Sequence, residues 1–209
     1  MRANSIVKKV EDGISCVLAV VPSEETIEPF WSMVDALNVR IIMLLTKNKE
    51  KTSDFMPTID EPIETSAHKV EIVSYEKLHE DILQMSFKLF NKATRSDSYV
   101  NVYKTTSWKI NHKHPPVATM NKLLDIANTE SCVCFVGSEK AGFLICGCLS
   151  VCFDVVSKVK EDKKFNIMKL AGEIKQTRPD FLQTLEEYAL CYAVIEAFLE
   201  NANLYDEIE

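Results

Sequence analysis

Val133-Cys134-Phe135-Val136-Gly137-Ser138-Glu139-Lys140-Ala141-Gly142 is the stretch on which the reading of this chain turns. It begins inside a short apolar run, Cys132–Val136, that reads as a buried strand, and it runs into an apolar helix spanning about Ala141 to Val159. The intervening loop, Gly137–Lys140, is wedged between a strand end and a helix N-terminus. In that position backbone N–H groups point into a concavity that suits an anion. A Cys at the head of such a loop feels the helix dipole, which lowers a thiol pKa. Lys140, six residues after Cys134, would close the ring around a tetrahedral oxyanion. The chemistry is that of a Cys-nucleophile phosphate site or its remnant. A Cys-x5-Lys spacing taken alone more often marks an ordinary core turn.

Upstream, Ile14–Val21 is a continuous apolar strand candidate stopped by Pro22, and Ser23 opens a helix with Glu24 and Glu25 in its positive first turn. Ile27, Phe30, Trp31, Val34 and Leu37 recur along it at helical spacing. Val39–Leu45 is an uninterrupted run of strand length, the pattern of a central strand covered on both faces. Thr46–Ala67 is polar, holds Pro57 and Pro62, and reads as a loop with a short strand at most. Lys69–Val73 alternates weakly, and Ile82–Phe90 alternates well and reads as a strand rather than a helix. A turn at Arg95–Asp97 returns the chain as Tyr99–Thr106, an antiparallel partner. Ala118–Asn128 is helical. The last third is helical too, with Asn166–Gln176 closed before Arg178-Pro179, and a capping box, Thr184-x-x-Glu187, opening a helix through about Asn201. Mixed strands first and helices last indicate an α+β domain with a central mixed sheet. There is no internal repeat or linker, so residues 1–209 are expected to form one domain.

Composition excludes several classes of function. The 209 residues are 46% hydrophobic and 26% charged, which is ordinary for a globular protein and rules out a disordered or low-complexity chain. The formal net charge of −7 argues against a general nucleic-acid binder and against adhesion to anionic membranes. The polar opening Met1-Arg2-Ala3-Asn4-Ser5 is not a secretory signal. The longest apolar stretch, Phe143–Phe153, is about half of the ~20 residues needed to span a bilayer. Seven cysteines is an odd number, and Cys132, Cys134, Cys146, Cys148 and Cys152 lie inside apolar runs, so buried reduced thiols and a cytoplasmic location are expected. Cys-x-Cys occurs twice with no His at ligand spacing, a poor zinc signal, and neither a metal nor a cofactor is expected.

Taken together in chain order, a set of motifs resembles the tyrosine-specific protein tyrosine phosphatase domain. Thr26-Ile27-Glu28-Pro29-Phe30-Trp31-Ser32-Met33-Val34 is similar to the family's T-x-x-x-F-W-x-M-V helix. Val39–Thr46 is similar to its strand V-x-x-I-V-M-L-T, and Lys51–Pro57 stands where the family has K-C-x-x-Y-W-P. Thr105-Thr106-Ser107-Trp108 precedes the position of its mobile acid loop. Arg178-Pro179 with Leu182-Gln183-Thr184-x-x-Glu187-Tyr188 resembles R-P-x-x-V-Q-T-x-x-Q-Y. The resemblance implies a highly twisted mixed sheet flanked by helices. It also implies a domain shortened at its start. Residues Met1–Val7 resemble the strand Y-I-N-A-N-Y-I, so the family's first helices and its phosphotyrosine-recognition loop, K-N-R-Y, are expected to be missing.

The resemblance also locates what has changed. The family signature is H-C-x5-R-S/T-G, and here it reads Val133-Cys134-x5-Lys140-Ala141-Gly142. Cys134 occupies the nucleophile's position. Lys140 replaces the Arg that grips two phosphoryl oxygens, offering a point charge in place of a bidentate fork. Ala141 lacks the hydroxyl that assists the leaving thiolate, and Val133 replaces the His that helps hold it. Phe135, Val136, Gly137, Ser138 and Glu139 fill the phosphate loop, where Glu139 sets a negative charge beside a pocket meant for a dianion. In the acid loop, W-P-D-x-G becomes Trp108-Lys109-Ile110-Asn111-His112, so Ile110 stands in place of the proton donor. Loss of a general acid costs about 10²–10⁴-fold. Loss of a transition-state donor costs a further ~10²–10³. His112 and His114 are alternative proton sources only if they are more than solvated loop side chains. Gln183 matches the water-positioning glutamine, as a vestige. The expectation is an inactive phosphatase-like domain that works by binding a protein, either as a scaffold or by shielding phosphotyrosine. The alternative is a weak tyrosine phosphatase acting through a phospho-cysteine at Cys134.

Overall fold

The structure, a computed structural model, describes residues 5–9, 15–47, 55–109, 111–130, 132–138 and 141–206. Among the described residues one sheet of eight strands carries the fold, in the order β1-β2-β8-β3-β7-β6-β5-β4. The strands are β1 (Ser5–Lys9), β2 (Ser15–Val20), β3 (Ile41–Leu45), β4 (Ile63–Glu64), β5 (His68–His79), β6 (Ile82–Asn91), β7 (Ser96–Thr105) and β8 (Cys132–Gly137). At the centre β2, β8, β3 and β7 run parallel, and β1 on one side and β6, β5 and β4 on the other add antiparallel flanks. This is the mixed α+β sheet expected from the sequence. Among the described residues five α-helices accompany it: α1 (Ile27–Ala36), α2 (Val117–Ala127), α3 (Ala141–Lys160), α4 (Ile167–Thr177) and α5 (Leu185–Asp206).

The period of two in each central strand divides the core into two layers. Cys16, Leu18, Ile41, Met43, Leu45, Val133 and Phe135 face a layer built with α2, α3, α4 and α5. Val17, Ala19, Ile42, Leu44, Cys132, Cys134 and Val136 face the other, built on Phe30, Trp31 and Val34 of α1. Burial on both faces explains why Ile41–Leu45 carries no polar residue. In the α1 layer the rings of Phe30 and Trp31 meet edge-on at 5.3 Å, and Phe55 stands edge-on to Phe30 at 5.5 Å. Each such buried ring contributes about 1.5–3 kcal/mol relative to exposure. The 20 residues of α3 are apolar on almost every side. That helix is long and apolar enough to cross a membrane, yet it lies enclosed by the sheet and by α2, α4 and α5, as a core helix.

The element bounds depart from expectation for local reasons. A single 3-10 turn, Glu24–Thr26, precedes α1, held by the Ser23 N–H donating to Thr26 Oγ1 at 2.9 Å. β5 extends to His79 through register shifts between Ile72 and Ser74 and between Lys77 and His79, which erase its alternation. The turn expected at Arg95–Asp97 instead precedes β7, which already begins at Ser96, and Arg95 takes the positive φ of 55° that closes it. Asn166 caps α4 rather than opening it, its Oδ1 accepting from the Lys169 N–H at 3.0 Å. Ile14 and Met1–Asn4, parts of two expected strands, lie outside the described residues, as do Lys51–Asp54 of the motif that ends at Pro57.

Candidate functional site

The junction of β8 with α3 is where the decisive stretch sits, and its geometry is set by two glycines. A side-chain carbon on Gly137 would lie 2.3 Å from the backbone carbonyl carbon of Gly142, and one on Gly142 would lie 2.2 Å from the Leu45 carbonyl oxygen. Strand end and helix start therefore touch backbone to backbone. The Phe143 N–H donates to the Ser138 carbonyl at 2.9 Å, closing the turn.

That closeness keeps β8 in the sheet as far as Gly137, which is in register with Val20 of β2 and Leu45 of β3. The Gly137 carbonyl accepts from the Val21 N–H at 2.9 Å, and the Ser138 N–H donates to the Leu45 carbonyl at 3.4 Å. Phe135, Val136 and Gly137, expected in an anion-binding loop, are thus strand residues, and all three are buried. Their amides serve the ladders on either side, and Ser138 adds its own N–H to β3. Glu139, Lys140 and Ile110 lie outside the described residues, and Ala141 opens α3 without a described side chain.

Cys134 is likewise a mid-strand residue, level with Val17 on one side and Ile42 on the other. It has no exposed surface and belongs to the apolar layer beneath α1, on the face of the sheet opposite α3. The helix dipole that would acidify a thiol at the head of a loop is therefore not what governs this one. Burial pushes the Cys134 thiol far above its ordinary range, and the nearby Cys132 pushes the same way. Such a group is a small apolar core residue at neutral pH.

Trp108 is fully buried, its indole N–H donating to the His112 carbonyl at 3.1 Å, with the Lys47 ammonium 5.7 Å from the ring centre. Ser107 and Thr119 share a hydroxyl hydrogen bond of 3.2 Å, and Thr119 also donates to Asp81, which pairs with Lys122 at 3.2 Å. His112 is exposed, and His114 Nδ1 donates to the Pro115 carbonyl at 2.7 Å. Gln183 is exposed, and its backbone N–H donates to the Glu187 carboxylate at 2.8 Å. Glu187 and Thr184 complete the capping box of α5, the Glu187 N–H donating to Thr184 Oγ1 at 3.2 Å. The Arg178-Pro179 motif is packed onto α3. Arg178 stacks its guanidinium 4.5 Å from the Phe143 ring centre, and Phe181 packs against the same ring at 4.8 Å.

The fold also brings together residues that sequence reasoning did not group. Cys148 and Cys152 of α3 meet Cys191 of α5, their three sulfurs lying within 4.8 Å of one another. The spacing of four between Cys148 and Cys152 marks one helix face, but nothing local points to Cys191 as the third member.

Comparison with known proteins agrees with this architecture. The family profile described as Protein-tyrosine phosphatase matches residues 1–197. Tyrosine-protein phosphatase non-receptor type 20 of Mus musculus is 26% identical over 193 residues, covering 86% of this chain and 43% of its own length. Tyrosine-protein phosphatase 2 of Dictyostelium discoideum is 25% identical over 198 residues, covering 83% of this chain and 49% of its own length. The chain therefore spans less than half the length of these relatives. The solved catalytic domain of human protein tyrosine phosphatase non-receptor type 18 superposes with a TM-score of 0.81 at 20% identity, over 94% of this chain and 74% of that one. A family match running over residues 1–197 settles the kinship: the chain belongs to the protein-tyrosine phosphatase family.

Proposed function

We propose that this domain is a catalytically silent member of its family and acts by binding a protein partner. The observation that carries the reading is the position of Cys134, enclosed in mid-strand with no exposed surface. A nucleophile must reach phosphorus as a thiolate, and this sulfur has neither access nor the acidity to be one. Substitution supports the same reading from a second direction. Lys140 for the family's Arg weakens the grip on the phosphoryl oxygens, and Ile110 cannot donate a proton to the leaving tyrosine. Between the two binding modes, scaffold is favoured over phosphotyrosine shield. Glu139 opposes a dianion, β8 through Gly137 is paired with β2 and β3, and the Ser138 N–H is taken by the Leu45 carbonyl. The seven cysteines, all buried and free, suit the reducing conditions of the cytoplasm.

Titration with a phosphotyrosine peptide, paired with affinity capture from a lysate treated to preserve phosphorylation, tests this. The scaffold reading expects a partner captured equally by wild type and Lys140→Ala, with no saturable peptide binding. Saturable peptide binding abolished by Lys140→Ala replaces scaffold with shield. Turnover of the peptide that vanishes in Cys134→Ser overturns silence itself.

A further inference from the structure

Away from the β8 junction, the α3–α5 interface holds a cluster that the proposed function does not use. Cys148 and Cys152 project from one face of α3, and Cys191 faces them from α5. The Cys191 and Cys148 sulfurs are 3.3 Å apart, and all three sulfurs fall within 4.8 Å of one another. Each residue is at most 1% exposed. We propose that Cys148, Cys152 and Cys191 form a three-coordinate site for a soft monovalent d10 cation, Cu(I).

Geometry comes first. With metal–sulfur bonds of about 2.3 Å, a planar trigonal site has sulfur–sulfur edges of about 4.0 Å. The spacings present, from 3.3 Å to no more than 4.8 Å, bracket that value, so ligation needs only side-chain adjustments. Ligand type comes second. Three sulfurs in a dry apolar layer select soft ions and disfavour Mg²⁺, Ca²⁺ and Mn²⁺, which need oxygen. Coordination number separates the remaining candidates. Zn²⁺ in a structural site takes four ligands, and among the described residues the cluster holds three. Cu(I) is satisfied by three.

Charge is also accommodated. When Cu(I) enters, one thiol releases its proton to solvent and binds as the thiolate through a new sulfur–metal bond. The other two sulfurs bind as thiols. One positive charge enters as one leaves, and no electron is transferred. The buried cluster keeps its net charge, which avoids the cost of placing a new uncompensated charge in the core.

The test is anaerobic competition of the reduced chain with bicinchoninate for Cu(I), followed by X-ray absorption on the loaded protein. One equivalent should be withdrawn from the chelator. Cys191→Ala should weaken that uptake at least about tenfold, a loss of ~1.4 kcal/mol. Cys132→Ala, whose sulfur lies in the other layer, should leave it unchanged. The absorption spectrum should show three sulfurs at about 2.3 Å and no nitrogen or oxygen neighbour. It keeps the proposal testable if Cys191→Ala fails to fold. No withdrawal of Cu(I), equal uptake by Cys191→Ala, or a shell containing nitrogen or oxygen would each overturn the assignment. So would a reduced chain that takes up no copper and instead forms a Cys148–Cys191 disulfide on exposure to air.

Discussion

Replacing Cys134 by serine is the change that separates a core thiol from a catalytic one. In an open phosphate pocket a hydroxyl in place of the sulfur finds water or loop amides, and stability hardly moves. Here the side chain has no exposed surface, is level with Val17 and Ile42, and packs in the layer that contains Trp31, Leu44 and Val136. The backbone groups beside it already serve two parallel ladders. Trimming the sulfur to a methyl group, as in Cys134→Ala, should cost about 1 kcal/mol in lost packing. Cys134→Ser leaves a buried hydroxyl without a free acceptor, a further ~1–3 kcal/mol. A total near 3 kcal/mol lowers the Tm of a domain this size by roughly 6–12 °C. Thermal unfolding of wild type, Cys134→Ala and Cys134→Ser, followed by circular dichroism, reads these differences. If the serine variant melts within experimental error of wild type, or above the alanine variant, the enclosed position argued for Cys134 is refuted.

Other outcomes follow from the same geometry. Gly137→Ala would drive its Cβ to 2.3 Å from the backbone of Gly142, so a loss of more than ~3 kcal/mol, or failure to fold, is expected in a denaturant titration; near-neutral behaviour contradicts the close junction. Thr184→Ala removes the hydroxyl that accepts from the Glu187 N–H and should cost about 1 kcal/mol without changing the fold. Asp35 accepts from Asn91 at 2.6 Å and from His68 at 3.1 Å. Partial burial raises its carboxyl pKa, and the hydrogen bonds outweigh that, holding it below the ordinary value of 3.8. A depressed carboxyl stabilises the fold above its unfolded pKa and loses that effect as pH falls through the folded one. The stability gap between wild type and Asp35→Asn should therefore be constant above about pH 5 and narrow below about pH 4. A gap that widens on acidification reverses the sign and removes the argument.

Much of the fold could be read from periodicity because its central strands are covered on both faces or alternate cleanly. Val39–Leu45 and Ile82–Phe90 are such cases, and the structure places β3 and β6 within them or one residue beyond. β5 was harder. Beyond its pairing with the two-residue β4 its outer side has no partner strand among the described residues, and its bulges break the alternation of Val73, Ser74 and Tyr75. The candidate site was legible as a set of residue types and not as a geometry. A Cys-x5-Lys spacing does not say where the strand stops. That point is decided by Leu45 and Val21, which bond to the end of β8 from elsewhere in the chain, and by the contact between Gly137 and Gly142. The thiol cluster was invisible for a similar reason, since Cys191 joins Cys148 only through the packing of α5 on α3.

Catalytic silence is tested most directly by hydrolysis of p-nitrophenyl phosphate, whose good leaving group makes a missing proton donor matter least. The account predicts release of nitrophenol by the wild-type chain no faster than by Cys134→Ser at equal concentration. Turnover above that background that disappears with the sulfur of Cys134 would contradict it.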